Sequence, residues 1–136
     1  MTAKEYLSQV MEIDTRIKAS LENIAYLKAL ATKVSSTLSG MPGSPNRTGS
    51  KVEDVMLKIA LMEGKVNEDI EKMMRLKQEI SETIDYLDKP KERLVLSLRY
   101  VYLLDWKEIS KSMKCSPRYP FVIHNRALSK IKVPKN

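Results

Sequence analysis

An apolar residue recurs at every seventh position along the first two thirds of this chain, and this repeat constrains the fold more than any other feature. The first series runs through Val10, Ile17, Ile24, Ala31 and Leu38. The second series has no polar interruption and runs through Val52, Ile59, Val66, Met73, Ile80 and Leu87. Since a seven-residue apolar repeat is typical of helices that pack along a shared seam, the pattern predicts two long helices.

Capping and helix-breaking residues mark the ends of these two helices. Thr2 with Glu5, and Ser50 with Glu53, have the spacing of a capping box, in which a hydroxyl and a carboxylate satisfy amides of the first turn. Residues 39–49 contain two prolines and three glycines, which make a continuous helix very costly there. The sequence therefore predicts a long antiparallel, coiled-coil-like helical hairpin over residues 1–88, with a flexible loop at 39–50.

The apolar face of the second helix is wider than a single partner helix can cover. Beyond the seam it carries further apolar residues, among them Met56, Ile70 and Ile84. Two hairpins that form a four-helix bundle would cover these positions, so we expect a homo-oligomer. The alternative is that the hairpin packs on the chain's own C-terminal residues. The residues assigned to oligomerisation are Val52, Met56, Ile59, Met62, Val66, Ile70, Met73, Ile80 and Ile84.

Charge divides the chain at Asp88, although the whole chain has a net charge of +7. Residues 1–88 contain 12 Lys and Arg against 14 Asp and Glu, a balance of −2. Residues 89–136 contain 12 against 3, a balance of +9. An excess of this kind is typical of a segment that binds a polyanion, whereas solvated side chains on a small stable domain are the plain alternative.

The residues that many other functions require are scarce. One cysteine and one histidine cannot supply the usual ligands of a zinc site, and a single thiol excludes an intrachain disulfide. No apolar run approaches the ~20 residues of a membrane span, and the first residues lack the apolar core of a signal peptide. The sequence also shows no paired catalytic carboxylates, no nucleophile with a neighbouring base and no phosphate-binding loop. We therefore expect a cytoplasmic protein without enzyme activity, cofactor or membrane association.

Three short helices are predicted in the basic segment, residues 89–136. Pro90 lies near the start of the first helix, and Asp105 with Glu108 has the pattern of an N-cap for the second. Ser116 and Pro117 have the N-cap and first-position pattern of the third. The short turn between the second and third helices gives the order of a helix-turn-helix.

The motifs of this segment, in this order, resemble region 4 of sigma-70-type transcription factors. They are residues 94–100 (LVLSLRY), 105–110 (DWKEIS), 115–116 (CS) and 123–131 (IHNRALSKI). With a helical hairpin in front, the chain looks like the small phage and prophage regulators of Gram-positive bacteria, of the late-operon type. The resemblance implies a DNA-binding helix-turn-helix, and it brings in host RNA polymerase as a further partner to consider.

The chain departs from that family's pattern at three positions. Ser110 stands where alanine is usual, Lys114 where glycine is usual, and Pro120 where a branched apolar residue packs in the third helix. Because proline has no amide hydrogen, the third helix either begins later, near Pro120, or is distorted in its first turn.

Together these observations predict a sequence-specific regulator of transcription that binds double-stranded DNA, encoded by a phage and active in the bacterial cytoplasm. Arg118 is the conventional base reader, whereas Phe121 or Val122 suits a thymine methyl group. The assigned DNA-binding residues are Lys107, Lys111, Ser116, Arg118, Tyr119, Phe121, Val122, Asn125, Arg126 and Lys130. Two alternatives remain: a packaging protein of the terminase small-subunit type, and an inhibitor that binds another protein.

Overall fold

A computed structural model describes the backbone of residues 1–38 and 45–135 and the side chains of residues 1–34 and 51–135. All regular secondary structure within these ranges is helical, which confirms the predicted all-α class. The helices are α1 (Ala3–Leu38), α2 (Pro45–Asp85), α3 (Pro90–Tyr100), α4 (Trp106–Met113) and α5 (Tyr119–Leu128). Among the helices so described, none has both the length and the apolar character to cross a membrane.

Helix α1 begins at its predicted cap, whereas α2 begins earlier than its predicted cap. The amide of Glu5 donates to Oγ1 of Thr2 at 3.1 Å, which confirms the predicted cap of α1. Helix α2 begins at Pro45 and not at Ser50, so residues 45–50 of the predicted loop are helical. Proline suits a first helical turn because its φ is already helical and its missing amide has no partner to lose there. The other predicted loop residues, 39–44, lie outside the described residues.

The chain divides into two compact units, which we call the basal unit (Met1–Asp14 with Lys72–Asn136) and the hairpin unit (Thr15–Glu71). The predicted division at Asp88 follows charge, whereas these units follow packing. The difference arises because the ends of α1 and α2 share one apolar core with α3 and α5.

In the hairpin unit, α1 and α2 run antiparallel along one apolar seam. Arg16 donates two hydrogen bonds to the Asp69 carboxylate, at 2.9 and 3.0 Å, and Lys28 pairs with Glu63 at 3.2 Å. A later residue of α1 thus meets an earlier residue of α2, as antiparallel helices require. The buried apolar residues are heptad positions of the two predicted series: Ile17, Ile24, Ala31, Ile59 and Val66.

In the basal unit, the ends of α1 and α2 form a core with α3 and α5. The hydroxyl of Tyr6 donates to Oε1 of Glu79 at 2.9 Å, and burial, reinforced by that carboxylate, raises the pKa of Tyr6 to about 12. The alternative in which the hairpin packs on the chain's own C-terminal residues therefore describes this unit. The core residues are Tyr6, Leu7, Val10, Ile80, Ile84, Leu87, Leu96, Tyr100 and Ala127.

Candidate nucleic-acid interface

Helices α3, α4 and α5 pack against one another within the basal unit, and a short connection joins α4 to α5. The Asp105 carboxylate accepts a hydrogen bond from the Glu108 amide at 2.7 Å, which confirms the predicted cap of α4. This bond holds the pKa of the Asp105 carboxyl below its usual value. Lys114 ends α4 with a φ of 53°, the left-handed conformation that glycine adopts most easily at this position. The chain thus makes the tight turn without the usual glycine.

Helix α5 begins later than the sequence pattern predicts. The prediction that Ser116 and Pro117 open the helix is wrong, because α5 begins at Tyr119 with Arg118 as its N-cap residue. The Tyr119 amide donates to the Ser116 carbonyl at 3.3 Å, so residues 116–119 form a turn whose second position suits the fixed φ of proline. Pro120 is buried in the first turn of α5, where its missing amide breaks no helical hydrogen bond.

The two sides of α5 differ in exposure. Pro120, Ile123, His124 and Ala127 are buried on one side. On the other side, Phe121 is 43% exposed and Val122 40% exposed, and Asn125 and Arg126, four residues on, are exposed as well. Since residues three and four apart share one side of a helix, the predicted contact residues lie together. We call this set the α5 face; it comprises Arg118, Tyr119, Phe121, Val122, Asn125 and Arg126.

An aromatic cluster lies directly beneath the α5 face. The ring of Phe121 lies 4.4 Å from the ring of Trp106, centroid to centroid, and the guanidinium of Arg99 lies 4.8 Å over the same indole. The His124 ring meets Trp106 edge-on at 4.9 Å, and its Nε2 shares a hydrogen bond of 2.6 Å with the Tyr100 hydroxyl. The Phe121 ring thus packs on Trp106 and is still partly exposed to solvent.

The basic residues near α5 fall into two groups. Lys111, Arg118 and Arg126 are exposed, and in the described parts of the chain their side chains form no ion pair. Lys130 differs, because its ammonium donates to both carboxylate oxygens of Glu92, at 2.8 and 3.1 Å. Glu92 is only 3% exposed, so the charge of Lys130 stabilises a buried carboxylate of α3. The sequence pattern, which assigned Lys130 to DNA binding, did not indicate this pairing.

The structure brings one lysine to the α5 face that sequence reasoning did not select. The ammonium of Lys91, in the first turn of α3, lies 5.5 Å from the centroid of the Tyr119 ring. No sequence signal indicates this contact, because the periodicity of α3 and α5 says nothing about which of their turns meet. Ser116 and Lys107, which were selected, are exposed in the connection and on α4 respectively.

Residues 43–132 match a family described as a protein of unknown function, DUF1492. The chain belongs to the DUF1492 family. The family is phage-associated, and the match covers α2 and all three helices that form and support the α5 face. No curated protein and no solved structure matched the chain.

All nine residues assigned to oligomerisation lie within the DUF1492 match, and the structure places most of them against other parts of the same chain. Met56 is 52% exposed. The partly buried members are Val52, Met62, Ile70 and Met73. The buried members are Ile59, Val66, Ile80 and Ile84. Because a buried side chain already has its partners, the predicted set as a whole does not describe a surface available to a second molecule.

Proposed function

We propose that this chain is a phage-encoded, sequence-specific regulator of transcription that binds double-stranded DNA through a helix-turn-helix made of α4 and α5. The observation that carries the proposal is the α5 face: polar, basic and aromatic side chains share the exposed side of a short helix whose other side is buried. A helix exposed in this way fits the major groove of B-DNA, which admits one α-helix. In this proposal α1 and α2 serve oligomerisation.

Affinity would come mainly from the lysines and arginines around the α5 face. Lys107 and Lys111 are exposed on α4, the helix that crosses the DNA backbone in this motif. Each phosphate that such a side chain neutralises releases condensed counterions, so binding weakens as salt increases. The excess of +9 charges in residues 89–136 supports this assignment.

Base recognition would come from the first turns of α5. Arg118 precedes the helix directly, and the N-terminal residues of a recognition helix are the ones that contact base edges. A guanidinium can donate two hydrogen bonds to guanine, at O6 and N7. Phe121, held by Trp106 at 4.4 Å, offers an apolar surface, and the thymine methyl group is the apolar feature of the major groove. The α5 face therefore suits a site that contains both guanine and thymine.

The proposal is tested by mapping the binding of the purified full chain along its phage genome and then titrating the bound fragment. We expect a discrete site bound about a thousandfold or more tightly than bulk DNA at the same salt. Arg118→Ala should cost about 1–3 kcal/mol at that site and relax its sequence preference, whereas Lys111→Ala should weaken binding to all DNA and lower the salt slope by about 1.

Lys72→Ala is the matched control, because Lys72 is an exposed lysine of α2 outside the α5 face. It should leave both affinity and preference unchanged. Uniform coverage of the genome by the wild-type protein would contradict the proposal of a regulator and favour a packaging protein. Equal losses on every sequence from Arg118→Ala and Lys111→Ala would remove Arg118 as the base reader.

A further inference from the structure

A second, short apolar surface covers about two turns of α2 in the hairpin unit, on the side away from the seam. Leu57 is 62% exposed and Leu61 is 68% exposed, and residues 60 and 64 between and beyond them are alanine and glycine. Successive residues of a helix are about 100° apart, so positions 57, 60, 61 and 64 share one side, roughly opposite Ile59 and Val66 of the seam. We call these four positions the outer stripe.

Gly64 has no explanation in the packing of the chain on itself. A Cβ added at Gly64 would meet no atom within 4 Å, so no neighbouring part of the described chain requires a glycine there. Glycine in the middle of a helix is unfavourable because it gains conformational freedom when unfolded. A residue without a side chain beside two exposed leucines is the arrangement that lets a second helix approach closely.

We propose that the outer stripe joins two copies of this chain as an antiparallel pair of α2 helices. This inference deepens, and rests on, the oligomerisation that forms part of the proposed function. A second copy is the occupant that the charges around the stripe favour. Asp54 and Lys65 are both exposed, and at about 100° per residue they lie on the same side of the stripe.

The antiparallel arrangement follows from the positions of these two charges. A twofold axis between antiparallel helices brings like sides together. In one register, Leu57 lies opposite Leu61 of the second copy. Asp54 then lies opposite Gly64 of the second copy and beside that copy's Lys65. The symmetry repeats each of these contacts. A parallel pair in register would instead place these two residues of the two copies on opposite sides of the contact, so Asp54 would not meet Lys65. The Asp54–Lys65 contact is therefore available in the antiparallel direction only.

Sedimentation equilibrium of the full chain over a range of micromolar concentrations tests this proposal. We expect a reversible monomer–dimer equilibrium, and we expect Leu61→Glu to raise the dimer dissociation constant by roughly tenfold or more. Met74→Glu is the matched control, because Met74 is 65% exposed on α2 but lies off the stripe, and it should leave the constant unchanged. Circular dichroism of each variant should show unchanged helix content.

Charge reversal tests the antiparallel register separately from folding. Asp54→Lys and Lys65→Asp should each weaken the dimer, and the double variant should restore it, because each reversed residue again meets an opposite charge. A double variant weaker than either single variant overturns the register, and a dimer insensitive to Leu61→Glu overturns the stripe. A monomeric wild type that still binds a discrete DNA site overturns this inference and the oligomerising role of α1 and α2, but not the proposed regulation through DNA binding. A stripe-dependent dimer without DNA binding overturns that regulation but not this inference.

Discussion

The basal unit and the hairpin unit are made from the same two long helices, yet they cover these helices to different extents. In the basal unit, α2 meets α1 and also α3 and α5, so Ile80 and Ile84 are fully buried. Among the described residues of the hairpin unit, α2 packs against α1 and leaves Leu57 and Leu61 largely exposed. A helix that is apolar on two sides needs two partners. The basal unit finds both within the chain, whereas the described part of the hairpin unit provides one.

The sharpest test of this difference compares one substitution in the two units. Ile80→Ala and Ile59→Ala remove the same atoms from α2, but Ile80 lies in the many-sided core of the basal unit and Ile59 in the single seam. We expect Ile80→Ala to lower the free energy of unfolding by about 4 kcal/mol and Ile59→Ala by about 2 kcal/mol, since a seam open to solvent relaxes more easily around a cavity. Urea denaturation measures both, and equal losses would contradict the comparison.

A smaller difference is expected between the ion pairs of the two units. Lys130 pairs with buried Glu92, whereas Lys28 and Glu63 are both largely exposed. Lys130→Met leaves a buried carboxylate without its partner and should cost about 1–3 kcal/mol. Lys28→Met should cost less than about 1 kcal/mol.

Thermal or urea denaturation of both lysine variants provides the measurement. Adding Glu92→Gln to Lys130→Met removes the unpaired charge and should recover part of the loss. If the loss from Lys28→Met equals that from Lys130→Met, the basal pair has no special role in stability.

The smallest expected effect is a pH dependence confined to the basal unit. Burial lowers the pKa of His124 below its ordinary value of 6.5, and the positive charges of Lys4 and Arg99 act in the same direction. Because the unfolded chain then takes up a proton first, the free energy of unfolding should fall as pH drops below about 6.5 and stop falling below the folded pKa. His124 is the one histidine of the sequence and lies in the basal unit. A change in stability between these two pKa values therefore reports on the basal unit.

Urea denaturation at about pH 7.5 and about pH 5.5 measures the effect, and the single histidine makes an NMR titration simple to read. The matched variant is Tyr100→Phe with His124→Phe, which removes the titrating ring and its hydrogen-bond partner together. This variant should lose the pH dependence. If it retains the wild-type dependence, His124 is not its source.

Local sequence patterns predicted the parts of this fold that depend on neighbours along the chain. The seven-residue repeat located the seam, and the Thr2 and Asp105 caps lie where their spacing indicates. Prolines were harder to interpret, because the same residue breaks a helix interior and begins a helix well. Pro45 and Pro120 both lie in first turns, and for this reason α2 begins earlier and α5 later than Ser50 and Ser116 suggest.

For the candidate site, the sequence alone determined which residues are basic or aromatic and that α5 has two sides, because helical periodicity is a local property. Only the tertiary structure decided how those residues are used. It paired Lys130 with Glu92, placed Lys91 over Tyr119 and set Phe121 on Trp106. It also decided which apolar side of α2 is covered in each unit. These contacts join residues far apart in the chain, and no spacing within one helix encodes which turn of another helix it will meet.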